Sequence, residues 1–313
     1  KVELQGALRA LFSQSDVGDV DNADGGLRYS VSDNGVLTLA PSFSPDYQLT
    51  WFDRSGTRLG SVGPSTRAAT TMMPRLSPDG ARVVWQVRER LAERNGLWVA
   101  DLARYIPTRL TGLSQYPQWS PDSSRVAWVG SGAIRHKAAS GVGEESILLK
   151  SGESAGGSIW PMDWSPDGRL ILYLRRLDAT RADVWGLPLS QSVDDLKPGT
   201  PHPVLVTEFA ERGAQFSPDG KWMAYSSDLA GSIEIYVQSL DAEGKAGSQR
   251  FRISPNGGGQ PRFRRDGKEL FYIADDGQMM AATIRLGPSF SFDAPKPLFR
   301  TRVLPRTAEV SAE

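Results

Sequence analysis

The serine of Gly152-Glu153-Ser154-Ala155-Gly156 sits in the G-x-S-x-G pattern of a nucleophile elbow, which would make it the attacking group of an acyl-transfer hydrolase. That chemistry needs a strand before the serine and a helix after it. Ser146–Lys150 can supply the strand, but Gly157-Ser158-Ile159-Trp160-Pro161 leads into another extended segment, and the only later histidine, His202, stands between two prolines. The motif reads as a connecting loop, and no catalytic residue is assigned. Asp19-Val20-Asp21-Asn22-Ala23-Asp24-Gly25-Gly26 is acidic and glycine-rich, like a calcium loop. The EF-hand places acids at the first, third and fifth positions and a Glu at the twelfth. Here the third acid comes one place late and the twelfth residue is Ser30. Asp19, Asp21 and Asp24 are therefore weak calcium candidates in what reads as a solvated loop. His136 and His202 are the only histidines and cysteine is absent, which leaves no zinc or polyhistidine site. Each histidine is expected at a surface or edge position, and no cofactor is implied. Arg262, Arg264 and Arg265, with Lys268, form the strongest basic cluster. Arg262 and Arg264 would share one face of a strand, where they could meet an anion or acidic peptide, or pair with Asp266 and Glu269.

The elements that carry these residues are set by a recurring turn. Ser77-Pro78-Asp79-Gly80, Ser165-Pro166-Asp167-Gly168 and Ser217-Pro218-Asp219-Gly220 are identical; Ser120-Pro121-Asp122-Ser123, Arg264-Arg265-Asp266-Gly267 and Ser32-Asp33-Asn34-Gly35 keep the outline. Ser at the first place, Pro at the second and Gly at the last suit a type I turn closed by a left-handed glycine, a common hairpin connection. The turn Asp is expected to bond nearby backbone N–H groups, a structural role. Successive copies lie 43 to 52 residues apart, and apolar runs flank each one. Four short strands per unit at a period of 40–50 residues are the signature of a propeller blade. The expectation is an all-β propeller of six four-stranded blades, with seven as the alternative if residues 4–12 add a strand. Residues 1–25 would form an N-terminal strand and acidic loop. Residues 26–313 would form the propeller, with repeats at about 26–63, 70–112, 115–152, 160–208, 212–255 and 259–303. The residue before each turn is apolar: Val31, Leu76, Trp119, Trp164, Phe216 and Phe263. One place earlier stand Ser30, Arg75, Gln118, Asp163, Gln215 and Arg262, all polar within otherwise apolar strands. On innermost strands they would ring the central channel. Arg75, Gln118, Asp163, Gln215 and Arg262 are accordingly the binding candidates.

Composition narrows the function classes. The 313 residues carry 36 Lys+Arg and 36 Asp+Glu, which argues against a general polyanion binder such as a nucleic-acid-binding protein, since that needs a basic excess. Absence of cysteine excludes disulfides, thiolate metal sites and cysteine nucleophiles, and fits an extracytoplasmic location. No run of 18 apolar residues offers a membrane span. The chain starts at Lys1 and is read as a processed or excised piece, with any export signal or anchor outside it.

Pro117–Ser120, Trp164–Gly168 with Leu170–Tyr173, Phe216–Gly220 with Met223–Tyr225, and Asp183–Leu189 resemble the repeats of TolB-type, WD-repeat-like propellers. Gln48–Gly56, Ser254–Gly258 and Arg264–Tyr272 resemble more closely the propeller region that follows bacterial serine/threonine protein kinase domains or winged-helix regulators. No kinase motif is present, so kinase activity does not carry over. The resemblance implies a non-catalytic binding or sensing scaffold, periplasmic or otherwise extracytoplasmic, that grips a protein, peptide or envelope ligand over its channel face as a module of a bacterial signalling protein. The alternative is the gating propeller of a prolyl-oligopeptidase-like serine hydrolase whose catalytic domain is absent here. A propeller enzyme of the lactonase or lyase kind would need clustered His, Asp and Glu in the channel, and only Asp163 is available there. Oligomeric state is not legible.

Overall fold

The computed structural model describes residues 10–11, 29–31, 37–39, 47–66, 73–87, 95–153, 156–177, 182–191 and 196–301. Asp19, Asp21, Asp24 and Ser154 lie outside them. The N-terminal strands are β1 (Ala10–Leu11), β2 (Tyr29–Val31), β3 (Leu37–Leu39), β4 (Tyr47–Phe52) and β5 (Arg58–Thr66). The first blade holds β6 (Arg75–Leu76), β7 (Arg82–Val87), β8 (Gly96–Asp101) and β9 (Thr108–Thr111). The second holds β10 (Gln115–Trp119), β11 (Arg125–Gly130), β12 (Ala133–Ala138) and β13 (Ser146–Lys150). The third holds β14 (Ser158–Trp164), β15 (Leu170–Arg176), β16 (Ala182–Gln191), a short β17 (Leu196–Pro198) and β18 (His202–Leu205). The fourth holds β19 (Glu211–Phe216), β20 (Trp222–Ser227), β21 (Glu234–Leu240) and β22 (Ala246–Arg252). The fifth holds β23 (Gly259–Phe263), β24 (Glu269–Ile273), β25 (Gln278–Arg285), a short β26 (Ser291–Phe292) and β27 (Lys296–Arg300). Neighbouring strands in these blades pair antiparallel.

The recurring turn folds as its residues dictate. At Ser165–Gly168 the Gly168 N–H reaches the Ser165 carbonyl at 2.9 Å, and Gly168 is left-handed at φ 76°. The Ser165 hydroxyl donates to Asp167 Oδ1 at 2.6 Å and accepts from the Leu170 N–H at 2.9 Å, so two side chains close the hairpin from inside. Where Ser123 replaces glycine it still adopts φ 61°, and its hydroxyl accepts the Asp79 N–H of the preceding blade at 3.0 Å.

The core lies between blades. Trp119 and Trp128 of the second blade bury against Val84, Leu97 and Val99 of the first. Trp164 and Tyr173 meet Ala127, Ile134 and Leu149; Phe216 and Tyr225 meet Leu172 and Val184; Phe263 and Tyr272 meet Ala224 and Val237. Each large side chain shut away in this manner contributes about 2–3 kcal/mol.

The described residues form five blades, two of them with a short extra strand, not the six or seven four-stranded blades that the repeat count suggests. The first repeat does not assemble as one sheet. β1 lies parallel on β3, Ala10 opposite Leu37, and so occupies the edge that a further antiparallel strand of the repeat would need. β4 and β5 form a two-stranded sheet of their own. Both small sheets fill the gap between the first and fifth blades. β2 packs beside β6 and β23. The β4–β5 hairpin buries Leu49 and Val62 against Leu76, Val83 and Trp85, while Arg54 at its turn donates two hydrogen bonds, 2.7 and 2.8 Å, to Glu269 of the fifth blade. Inner strands β2, β6, β10, β14, β19 and β23 thus surround one channel, closed through this seam.

Candidate functional site

Each four-stranded blade places its innermost strand against the channel, and most of these strands bend just before their polar residue. The register shifts between Gln115 and Gln118, Pro161 and Asp163, Arg212 and Gln215, and Gly259 and Arg262. Tyr116, Gly213 and Gln260, each two residues ahead of its ring residue, are left-handed at φ 57°, 62° and 60°. Such bulges re-aim the side chains that follow them, and left-handed Tyr and Gln store strain next to the channel.

The re-aimed side chains reach the next blade. Gln118 Nε2 donates to the Pro161 carbonyl at 3.2 Å, Asp163 Oδ2 accepts the Phe216 N–H at 2.8 Å, and Gln215 Oε1 accepts the Phe263 N–H at 2.8 Å. These three residues staple consecutive blades by satisfying backbone groups on the inner strand of the next blade. On the seam side, Trp119 Nε1 donates to the Arg75 carbonyl at 2.9 Å and Arg262 donates to the Pro261 carbonyl at 2.9 Å. Burial pushes the Asp163 carboxyl up to about 6, against the Phe216 hydrogen bond and the charges of Arg262 and Arg75, which favour its ionised form.

All five sequence-derived candidates, Arg75, Gln118, Asp163, Gln215 and Arg262, line a single cavity of about 360 Å³ at the turn end of the channel. Ser30 stands on β2, and its side chain is not among those described. Leu76, Trp119, Trp164, Phe216 and Phe263 form the wall, and Pro78, Pro121, Pro166, Pro218 and Arg265 line it from the turns. The turns thus shape the mouth as well as the hairpins. Arg265 occupies the turn position that proline takes in the other four blades, and its guanidinium donates to the Pro78 carbonyl across the seam. That substitution within the repeat was the available signal for it. The sequence reading paired Arg262 with Arg264, but the turn begins at Arg264 and breaks the strand alternation. Arg264 instead faces Glu269 at 2.8 Å and Asp266 at 3.4 Å.

Other candidates are scattered. His136 is 1% exposed inside the second blade, not at an edge, with Nδ1 at 3.4 Å from Arg125. His202 is half-buried on β18 of the third blade. A 3-10 turn, Ser151–Glu153, precedes Ser154, and β14 begins at Ser158. Among the described residues no group of three or more His, Asp and Glu has metal-binding geometry. No sequence motif flagged Glu211, a buried acid at the opposite end of β19. It accepts the Thr207 hydroxyl at 2.6 Å, and burial, reinforced by Asp183 and Asp228, pushes it up to about 7.

No family model and no curated protein matches this chain. Solved structures do match. TolB from Acinetobacter baumannii is 17% identical over 84% of this chain and 68% of its own, at TM-score 0.51. A TolB-type protein from Agrobacterium tumefaciens is 20% identical over 76% and 83%, at 0.55. Hydrazine synthase from Kuenenia stuttgartiensis is 16% identical over 87% and 80%, at 0.56. At such identities the likeness is one of fold: with the blades and channel described above, this chain is a β-propeller, similar in fold to the TolB structures.

Proposed function

We propose that this propeller is a non-catalytic binding module that receives a segment of a protein or peptide at the turn end of its channel. One observation carries the reading: five polar residues, contributed by five separate blades, converge on one cavity with apolar walls and a proline-lined mouth. A cavity of that size falls within the range of ligand sites, about 300–1,000 Å³. Rigid rings at the mouth lose little entropy on contact, which favours an ordered, extended guest. The extracytoplasmic location and the signalling context come from the sequence resemblance. The absence of cysteine supports the location; the kinase-linked or winged-helix context finds no support in the structural neighbours reported above. Those neighbours include an enzyme as well as TolB proteins, so the non-catalytic reading rests on the cavity's own residues. The gating-propeller alternative has no observation of its own.

The test is selection of peptides from a random displayed library on the wild-type chain, followed by binding to Pro121→Trp and Pro218→Trp. The second turn position tolerates most residues, so these variants fold while narrowing the mouth. The selected peptides should bind the narrowed variants at least tenfold more weakly. Peptides that bind all three proteins equally would sink the reading.

A further inference from the structure

We infer that the cavity recognises a carboxylate carried by that polypeptide guest, and that the seam side of the channel is where the carboxylate docks. The inference rests on the binding reading above and adds the ligand chemistry to it.

The argument begins with where the charges fall. The whole chain is neutral. Yet among the described residues lining the cavity there are three guanidinium groups, Arg75, Arg262 and Arg265, and a single carboxylate, Asp163. The cationic groups are also not spread around the ring. Arg75 stands on β6 and Arg262 on β23, the two inner strands that flank β2, and Arg265 bridges from the fifth blade to Pro78 of the first. Asp163 stands on β14, across the channel from that seam, with the neutral Gln118 and Gln215 to either side. The cavity is therefore polarised, cationic on one side and weakly acidic on the other.

Depth and walls restrict the guest further. Arg262 is 1% exposed and Arg75 8%, so their charges act in a poorly hydrated setting where attraction to an anion is strengthened. Both lie close enough to Asp163 to favour its ionisation electrostatically. Trp119, Trp164, Phe216, Phe263 and the prolines line the same cavity. A guest must then pair an apolar stem with an anionic tip. An Asp or Glu side chain and a chain's C-terminal carboxylate both fit. Guanidinium binds planar carboxylates through paired N–H donors, which suits either source. A dianionic tip would suit the site less well, since its second charge meets Asp163.

Fluorescence polarisation with rhodamine-labelled alanine-rich pentapeptides separates the sources: one ending in a free carboxylate, one amidated with a central Glu, and one amidated with a central Gln. At least one acidic peptide should bind the wild-type chain tenfold or more tightly than the Gln peptide. Arg265→Gln, an exposed position that does not threaten folding, should reduce that preference severalfold, and Arg262→Gln should abolish it. Arg58→Gln, on an exposed part of the hairpin, should leave it unchanged, and Asp163→Asn should strengthen it. Equal binding of acidic and neutral peptides would overturn the inference, as would equal loss in Arg58→Gln and Arg265→Gln. In either case, peptides from the library that still depend on the mouth would leave the binding reading standing; if none depends on it, the binding reading itself fails.

Discussion

The two sides of the channel wall are built differently. The far side, Gln118, Asp163 and Gln215, spends its polar atoms on the backbone of the next blade, at 2.8 to 3.2 Å. The seam side, Arg75, Arg262 and Arg265, brings charge to the place where two small sheets stand in for a full blade. There, closure relies on the buried Leu49 and Val62 and on the Arg54–Glu269 pair, while Arg265 reaches Pro78 from an exposed turn. The contrast teaches that a polar ring need not have one purpose. Its far side is structural, because removing one of these side chains strands a backbone N–H at Phe216 or Phe263, or the Pro161 carbonyl. Its near side supplies the field that a guest would meet.

The largest expected effect breaks the far side. Gln215→Leu leaves the Phe263 N–H without its acceptor and should lower the unfolding free energy by about 1–3 kcal/mol in a urea titration, whereas Arg265→Gln should change it by less than about 0.5 kcal/mol. Comparable losses would erase the distinction between the two sides.

The next effect is one of pH. Asp163 titrates at about 6 in the folded chain against 3.8 for an ordinary Asp, and Glu211 at about 7 against 4.5. The folded state therefore binds these protons more tightly than the unfolded state. Their contribution to stability must fall as pH rises, from about 4 to 6 for Asp163 and from about 4.5 to 7 for Glu211. Asp163→Asn and Glu211→Gln should each flatten the loss in its own window. The gain above that window should be at most about 3 kcal/mol, reduced by the weaker hydrogen bond that the amide offers. Thermal melts at pH 4, 6 and 8 provide the check, and a variant whose pH profile parallels the wild type would contradict the assignment.

The smallest effect concerns the seam. Arg54→Ala removes a two-pronged pair with Glu269, but Arg54 is 39% exposed and screened, so the cost should be about 1 kcal/mol or less at neutral pH. Burial opposes ionisation of Glu269, but hydrogen bonds from Arg54 and Arg264 outweigh it and hold the carboxyl below its usual range. The cost is therefore present above about pH 4.5 and should fade as the pH falls and Glu269 protonates. A cost that persists at pH 3 would assign it to packing on Phe271, 5.9 Å beneath the guanidinium.

Local chemistry made part of this legible. The turns could be read because Ser, Asp and Gly bond within four to six residues of one another, and the channel residues because each breaks an apolar strand at a fixed offset from a turn. What escaped was non-local. Gln118, Asp163 and Gln215 find partners in the next blade, 43 to 53 residues away. The left-handed bulges at Tyr116 and Gln260 defy residue preference. The blade count failed because Leu37–Leu39 and Tyr47–Phe52 look like consecutive strands of one sheet, and nothing local shows that Ala10–Leu11 takes the edge between them. Arg264 takes the pairing with Asp266 and Glu269 that its neighbours offer, while Arg265 reaches the cavity because strand alternation stops at Phe263.

The most direct test of a polarised, carboxylate-accepting channel is the titration of Asp163 itself, followed by carbon-detected NMR with and without the preferred acidic peptide. The structure predicts a midpoint near 6 in the free chain, moving upward when a second carboxylate enters the cavity. A midpoint that stays in place under saturating peptide would show that the guest does not enter the channel, and would contradict the account.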